Sequence, residues 1–252
     1  MIINLSNGAT NTLLPDFTFT ANGTTYAINS ASESSSVADV YLYQTTGTDW
    51  VFYAMVSGEI TFTEPITCDL YLQGSGKRGS TGVGTSRSDG GNGGRRLHKQ
   101  GVTFSGTQTI TITAGSESRI GTHSSADEGY SESTSGQNGG YPFGDQTAVG
   151  PDGVKKRRYG AGGGKGGYAN VSSGNSTDPT SGGNYGGGDG GKAYATPQTD
   201  PHSNTYYCTV GLAAFGYGSG GGGGGGTKHS GGVYAANGGA GKTGFVGLRS
   251  PR

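Results

Sequence analysis

The chain has 252 residues, of which 55 are glycine, 30 % are hydrophobic, and 17 basic side chains balance 17 acidic ones. Average glycine usage is about 7 %, so a conventional side-chain core over the whole length is excluded, as is a net-charge attraction to nucleic acid or to a membrane surface. Glycine does not recur at every third position, which excludes collagen, and no apolar run approaches the ~18 residues of a bilayer-spanning helix.

Taken in chain order, the first residues, Met1-Ile2-Ile3-Asn4-Leu5-Ser6-Asn7, lack the basic and apolar regions of a secretory signal, so none is expected. Asp16-Phe17-Thr18-Phe19-Thr20 alternates aromatic and polar residues, Asn22-Gly23 supplies the positive φ of a tight hairpin turn, and Thr25-Tyr26-Ala27-Ile28 continues. Val40 to Tyr43 and Trp50 to Val56 form a second expected pair across residues 45–48, apolar on both faces and therefore buried on both. Residues 59–62 and 66–72 read as two further strands, the second strictly alternating. No segment keeps a helical period. The expected fold class is mainly β with irregular structure and little or no α-helix: a small β-domain at residues 1–57, then a glycine-rich domain at 58–252 with strands at its start and a closing strand at its end.

At Gly74 the composition changes. A hairpin is expected from Val102-Thr103-Phe104 to Thr109–Thr113 across Ser105-Gly106-Thr107, and beyond it glycine falls in clusters, including the run Gly220 to Gly226. A flexible linker would be monotonous. Here the clusters are separated by segments rich in Tyr, Asn, Asp, Pro and Lys, and they end in the strand-like Gly244-Phe245-Val246-Gly247-Leu248-Arg249. We therefore expect an ordered bundle of extended, polyglycine or polyproline-II-like helices. Such helices lack internal hydrogen bonds, so their backbone groups must pair with neighbouring segments, and backbones approach that closely only where no Cβ intervenes.

Ser57-Gly58-Glu59-Ile60-Thr61-Phe62, then Cys68 to Gly74, the glycine clusters, and the final Gly239-Ala240-Gly241-Lys242-Thr243-Gly244-Phe245-Val246-Gly247-Leu248-Arg249 resemble the glycine-rich domains of bacteriophage tail-fibre proteins. In composition they also resemble the tip adhesins of T-even-like long tail fibres. The resemblance covers roughly residues 58–252 and is one of pattern. It implies a virion protein, made in the host cytoplasm and acting outside it, present in multiple copies per particle. A sandwich of polyglycine helices would carry variable loops that contact a bacterial surface polysaccharide or outer-surface protein. Residues 1–57 would attach to other tail or fibre proteins. Nucleic acid and membrane insertion are not expected. The alternatives are a structural tail or baseplate component, in which the glycine-rich domain mediates assembly, and an ice-binding protein, which long irregular loops argue against.

The candidate receptor-contacting residues lie in the segments between the glycine clusters. They are the aromatics Tyr130, Tyr141, Phe143, Tyr159, Tyr168, Tyr194 and Tyr234, with His202 and the basic run Lys155, Lys156, Arg157 and Arg158. Exposed rings offer an apolar face with a polar handle, and a basic run attracts anionic surface polymers in a salt-sensitive way. About half of the aromatics are expected to cover the edges of the bundle instead, Tyr206 and Tyr207 among them. Deleting residues 141–158 is expected to abolish cell binding and spare folding.

No catalytic, cofactor or metal site is expected. Gly238 to Thr243 imitates a phosphate-binding loop, but Ala236 stands where the pattern needs glycine and no helix follows. Asp127, Glu128 and Glu132 read as solvated acids in a serine-rich loop. Cys68 and Cys208 read as separate thiols, with a disulfide as the lesser alternative.

Overall fold

The computed structural model describes residues 2–4, 17–21, 23–27, 40–44, 50–127, 133–134, 136–184, 186–199, 205–230 and 232–251. In chain order the strands are β1 (Ile2–Asn4), β2 (Phe17–Ala21), β3 (Thr24–Ala27), β4 (Val40–Gln44), β5 (Trp50–Ala54), β6 (Gly58–Gln73), β7 (Arg96–Ile112), β8 (Ser118–Ile120), β9 (His123–Ser124), β10 (Tyr168–Asn170), β11 (Asn175–Thr177), β12 (Ala193–Thr199), β13 (Thr205–Cys208), β14 (Gly226–His229), β15 (Gly232–Ala235) and β16 (Phe245–Arg249). The protein is mainly β, and a 3-10 turn at Pro142–Gly144 is the sole helical element among the described residues.

Among the described residues, ten strands form one sheet in the order β1-β4-β5-β16-β6-β7-β8-β9, with the β2–β3 hairpin on the first half of β6. β4 pairs with β5 as the sequence predicts. The division expected at 57/58 runs through this sheet, because strands from both sides of it belong to it. Two expectations are corrected. Residues 59–62 and 66–72 are one strand, β6, whose register shifts between Phe62 and Ile66; the irregularity accommodates Pro65, which lacks the N–H of a regular ladder. Opposite that shift, Ser105-Gly106-Thr107 does not turn the chain. Gly106 takes φ +60° within the continuous strand β7, so the expected hairpin is instead a kink in a long partner of β6.

Alternation sorts the side chains of the central strands onto two faces. Trp50 and Phe52 of β5, Leu70 and Leu72 of β6, and Val246 and Leu248 of β16 join Phe19, Ile60, Phe62 and Ile110 in the larger core. The opposite face carries Val51, Tyr53, Tyr71 and Phe245, and is covered by Phe143 and Tyr159 from the 141–159 segment. Phe245 lies at the centre of this second core, with Tyr53, Tyr159 and Tyr71 at centroid distances of 5.4, 5.5 and 5.6 Å. Both cysteines are free: Cys68 is buried in the larger core and Cys208 is half-buried. Burial, with a smaller push from Asp69, raises the Cys68 thiol to about 12, so it stays an unreactive thiol.

At Gly74 the chain leaves the sheet as extended segments without strand pairing. The run 220–226 lies among six of them. Gly220, Gly223 and Gly226 donate their N–H groups to the carbonyls of Ala161, Gly164 and Gly167. Gly221 and Gly224 donate to Lys77 and Ser80, and Gly222 and Gly225 to Leu212 and Thr209. The carbonyls of Gly220 and Gly223 accept from Gly188 and Gly191, that of Gly221 from Gly91, and those of Gly222 and Gly225 from Gly239 and Ala236. All these bonds measure 2.7–3.1 Å, and every third residue addresses the same neighbour. No glycine of the run has positive φ, so conformational freedom is not why glycine stands there. A Cβ on Gly220, Gly221, Gly222 or Gly224 would instead land on the carbonyl oxygen of Gly91, Gly239, Asp189 or Ala236.

Candidate functional site

The extended segments carry the chain away from the large sheet and end in small β elements. Residues 160–167 lead into β10, 186–192 into β12, and 219–225 into β14. Residues 209–215 return from β13, and 236–244 run from β15 back to β16. The end remote from the sheet therefore consists of β10 to β15 and their turns, with the turn at residues 83–87 beside β14 and β11. There β11-β10-β14-β15 form a four-stranded sheet in which β10 and β14 are parallel, and β12–β13 form a separate ribbon. The buried Thr227 hydroxyl of β14 ties the two together, 2.8 Å from the carbonyl of Tyr207 and 3.2 Å from that of Tyr194.

This end presents rings. Tyr234, 45 % exposed, stacks on Tyr207 with centroids 4.4 Å apart and planes at 25°. His229 lies 6.0 Å from the Tyr207 ring. Tyr168 and Tyr194 are half-buried, Lys228 is exposed, and Val233 is 56 % exposed. The combination of flat apolar rings, exposed valine and the cations Arg87, Lys192 and Lys228 suits stacking on a sugar or packing on a protein surface.

The other candidates among the described residues sit at the opposite end of the extended segments, against the large sheet. Two of them are corrections: Phe143 is 3 % and Tyr159 0 % exposed, packed on Tyr71 and Phe245, so neither ring is offered to a receptor. The Tyr159 hydroxyl donates to Asp152 at 2.5 Å, and burial pushes its ionisation far above the ordinary phenol range. The basic run splits. Arg157 pairs with the Asp152 carboxylate, a hydrogen bond that raises its own pKa further. The Arg158 guanidinium lies over the half-buried Tyr141 ring at 5.0 Å. Lys155 and Lys156 are exposed, the latter at φ +60° in the turn. The Tyr53 hydroxyl donates to the carbonyl of Val149 at 2.7 Å. Arg249 of β16 bonds Asp69 at 2.9 Å and Asp145 at 3.3 Å while stacking over Phe143 at 4.5 Å. Segment 141–159 is thus the lid of the second core, and deleting residues 141–158 would remove Phe143 from over Tyr53 and Tyr71 and take from Tyr159 its Asp152 partner.

Of the candidates, then, Tyr168, Tyr194 and Tyr234 are brought together at the remote end. Tyr141, Phe143, Lys155, Lys156, Arg157, Arg158 and Tyr159 gather at the sheet end. Tyr130 and His202 lie outside the described residues. Sequence reasoning passed over His229 and treated Tyr207 as structural. The signal for His229 was the alternation Thr227-Lys228-His229 and Val233-Tyr234 about Ser230-Gly231-Gly232, a hairpin to which Tyr207 does not belong. No protein-family model, curated protein or solved structure matches this chain.

Proposed function

We propose that this chain is a phage tail-fibre or tail-tip protein, a component of the virion, that recognises a bacterial surface polysaccharide or outer-surface protein. On this reading the segments from Gly74 onward are a bundle of polyglycine-type helices. The observation that carries the reading is the hydrogen-bond repeat around 220–226, in which every third residue addresses the same neighbour. That repeat is what a three-residue-per-turn helix without internal bonds requires of its surroundings. Ordering glycine costs about 1–2 kcal/mol per residue, which one donated and one accepted bond, each contributing ~0.5–1.5 kcal/mol net, offset when every residue makes both.

The bundle suits a receptor-binding role because its interior holds almost no side chains, so the turns at its far end can vary without disturbing a core. Tyr168, Tyr194, Tyr207, His229 and Tyr234 are the residues assigned to contact. Residues 1–57 are assigned to attachment to other tail or fibre proteins, and several copies per particle add avidity to weak single contacts. The role is binding, with no catalytic step or cofactor.

The test is binding of labelled protein to a panel of intact bacteria. Saturable binding to some strains, lost in Tyr168→Ala/Tyr207→Ala while the melting temperature holds, is the expected result. A folded, multivalently displayed protein that binds no cell overturns receptor recognition in favour of a structural tail component.

A further inference from the structure

We propose that the free edge of β15 pairs antiparallel with the β15 edge of a second copy of this chain, about a twofold axis through Tyr234. The backbone groups of β14 already used in pairing fix which groups of β15 are free. Gly226 donates its N–H to Gly167, and Lys228 accepts at its carbonyl from Val171, so residues 226 and 228 of β14 face β10. Their neighbours Thr227 and His229 consequently face β15, opposite Tyr234 and Gly232. The bond from Ala236 N–H to the Gly225 carbonyl continues the same alternation. Val233 and Ala235 therefore direct N–H and C=O away from β14, and among the described residues neither N–H has a partner.

All four residues of β15 are exposed, and none is charged or proline. Sheet proteins ordinarily blunt such an edge with lysine, proline or a bulge. What suits this edge is its own sequence. A twofold axis at Tyr234 sets Val233 opposite Ala235 of the second copy, and Ala235 opposite Val233. These are the residues with free groups, so four main-chain hydrogen bonds close. On one face the side-chain pairs are Val with Ala, twice. On the other, Tyr234 meets Tyr234, each already stacked on its own Tyr207. No like charges oppose one another. Four bonds and these few side chains make a small interface, well below the ~1,200 Å² of a stable standard complex, so single pairs are weak and held copies reinforce one another. The proposal does not rest on the receptor-binding reading, since cell binding and self-association are measured separately.

Opposed residues of a non-hydrogen-bonded antiparallel pair have Cα atoms about 4.5 Å apart, within disulfide reach. Oxidation of the full chain carrying Tyr234→Cys and Cys208→Ser is expected to give a covalent dimer, and the corresponding Val233→Cys chain to give none. Sedimentation of the unaltered chain is expected to show a concentration-dependent monomer–dimer equilibrium whose dissociation constant rises roughly tenfold in Tyr234→Lys, where like charges meet across the axis. A cross-link that forms equally at 233 and 234, a dimer indifferent to Tyr234→Lys, or a chain monomeric throughout with no cross-link at 234 would each overturn the proposal.

Discussion

The ten-stranded sheet and the glycine segments are two solutions to one problem, the satisfaction of buried backbone. The sheet pairs its backbone in one plane and derives cohesion from side chains on its two faces, so it needs Phe52, Leu70, Val246 and Phe245. The glycine segments pair their backbone in three directions at once, which leaves no room for side chains between them. The first region fails when a side chain is removed, and the second when one is added. Glycine content is therefore a poor guide to disorder unless the bonds of each N–H are counted.

The sharpest break of this comparison is Gly222→Val, whose Cβ falls on the Asp189 carbonyl in the middle of the glycine segments. Backbone meeting backbone on all sides cannot relax as a core side chain does, so the expected result is loss of the folded state in circular dichroism and limited proteolysis. Phe245→Ala, the sheet's counterpart, empties the centre of the aromatic core and is expected to cost about 3–5 kcal/mol in denaturant unfolding. Gly101→Ala sharpens the contrast: Gly101 sits at φ +64° with open space around its missing Cβ, so a left-handed alanine is expected to cost only ~1–2 kcal/mol. If Gly222→Val proved as mild as Gly101→Ala, backbone packing would not be what holds the glycine region.

A smaller effect belongs to the sheet alone. Burial lowers the pKa of both His98 and His123, with Asp69 opposing it at the first and Lys99 adding to it at the second. The unfolded chain then binds more protons than the folded one below the ordinary histidine pKa of ~6.5, so stability is expected to fall as pH drops through and below that value. Melting temperatures at neutral and mildly acidic pH should diverge less in His98→Gln/His123→Gln. Smallest of all is Lys155→Ala/Lys156→Ala, two exposed side chains, expected to leave unfolding within about 0.5 kcal/mol.

How much of this was legible beforehand follows the same division. The β2–β3 hairpin and the β4–β5 pair are local, and alternation with turn residues announces them. The break at Gly74 is equally plain, one residue past the end of β6. What the pattern hides is non-local. Gly106 carries the mark of a turn, yet pairing with β6 carries β7 on past it with only a kink. Phe143 and Tyr159 look like loop aromatics because the face they cover, Tyr53, Tyr71 and Phe245, is assembled from three distant strands. Tyr207 and Tyr234 meet for the same reason, and no spacing between them in sequence foretells it.

β16 lies between β5 and β6, paired with both. During synthesis the ribosome delivers Phe245–Arg249 long after the strands they must join, so the middle of the sheet stays open while the glycine segments emerge. A nascent chain interrupted before Phe245 leaves β5 and β6 with two bare edges, the kind of species that chaperones capture and that otherwise aggregates. The same placement turns residues 245–249 into a bolt: once slid home, it fastens the strands before Gly74 to the segments after it, and mechanical load applied to either region is carried by the other.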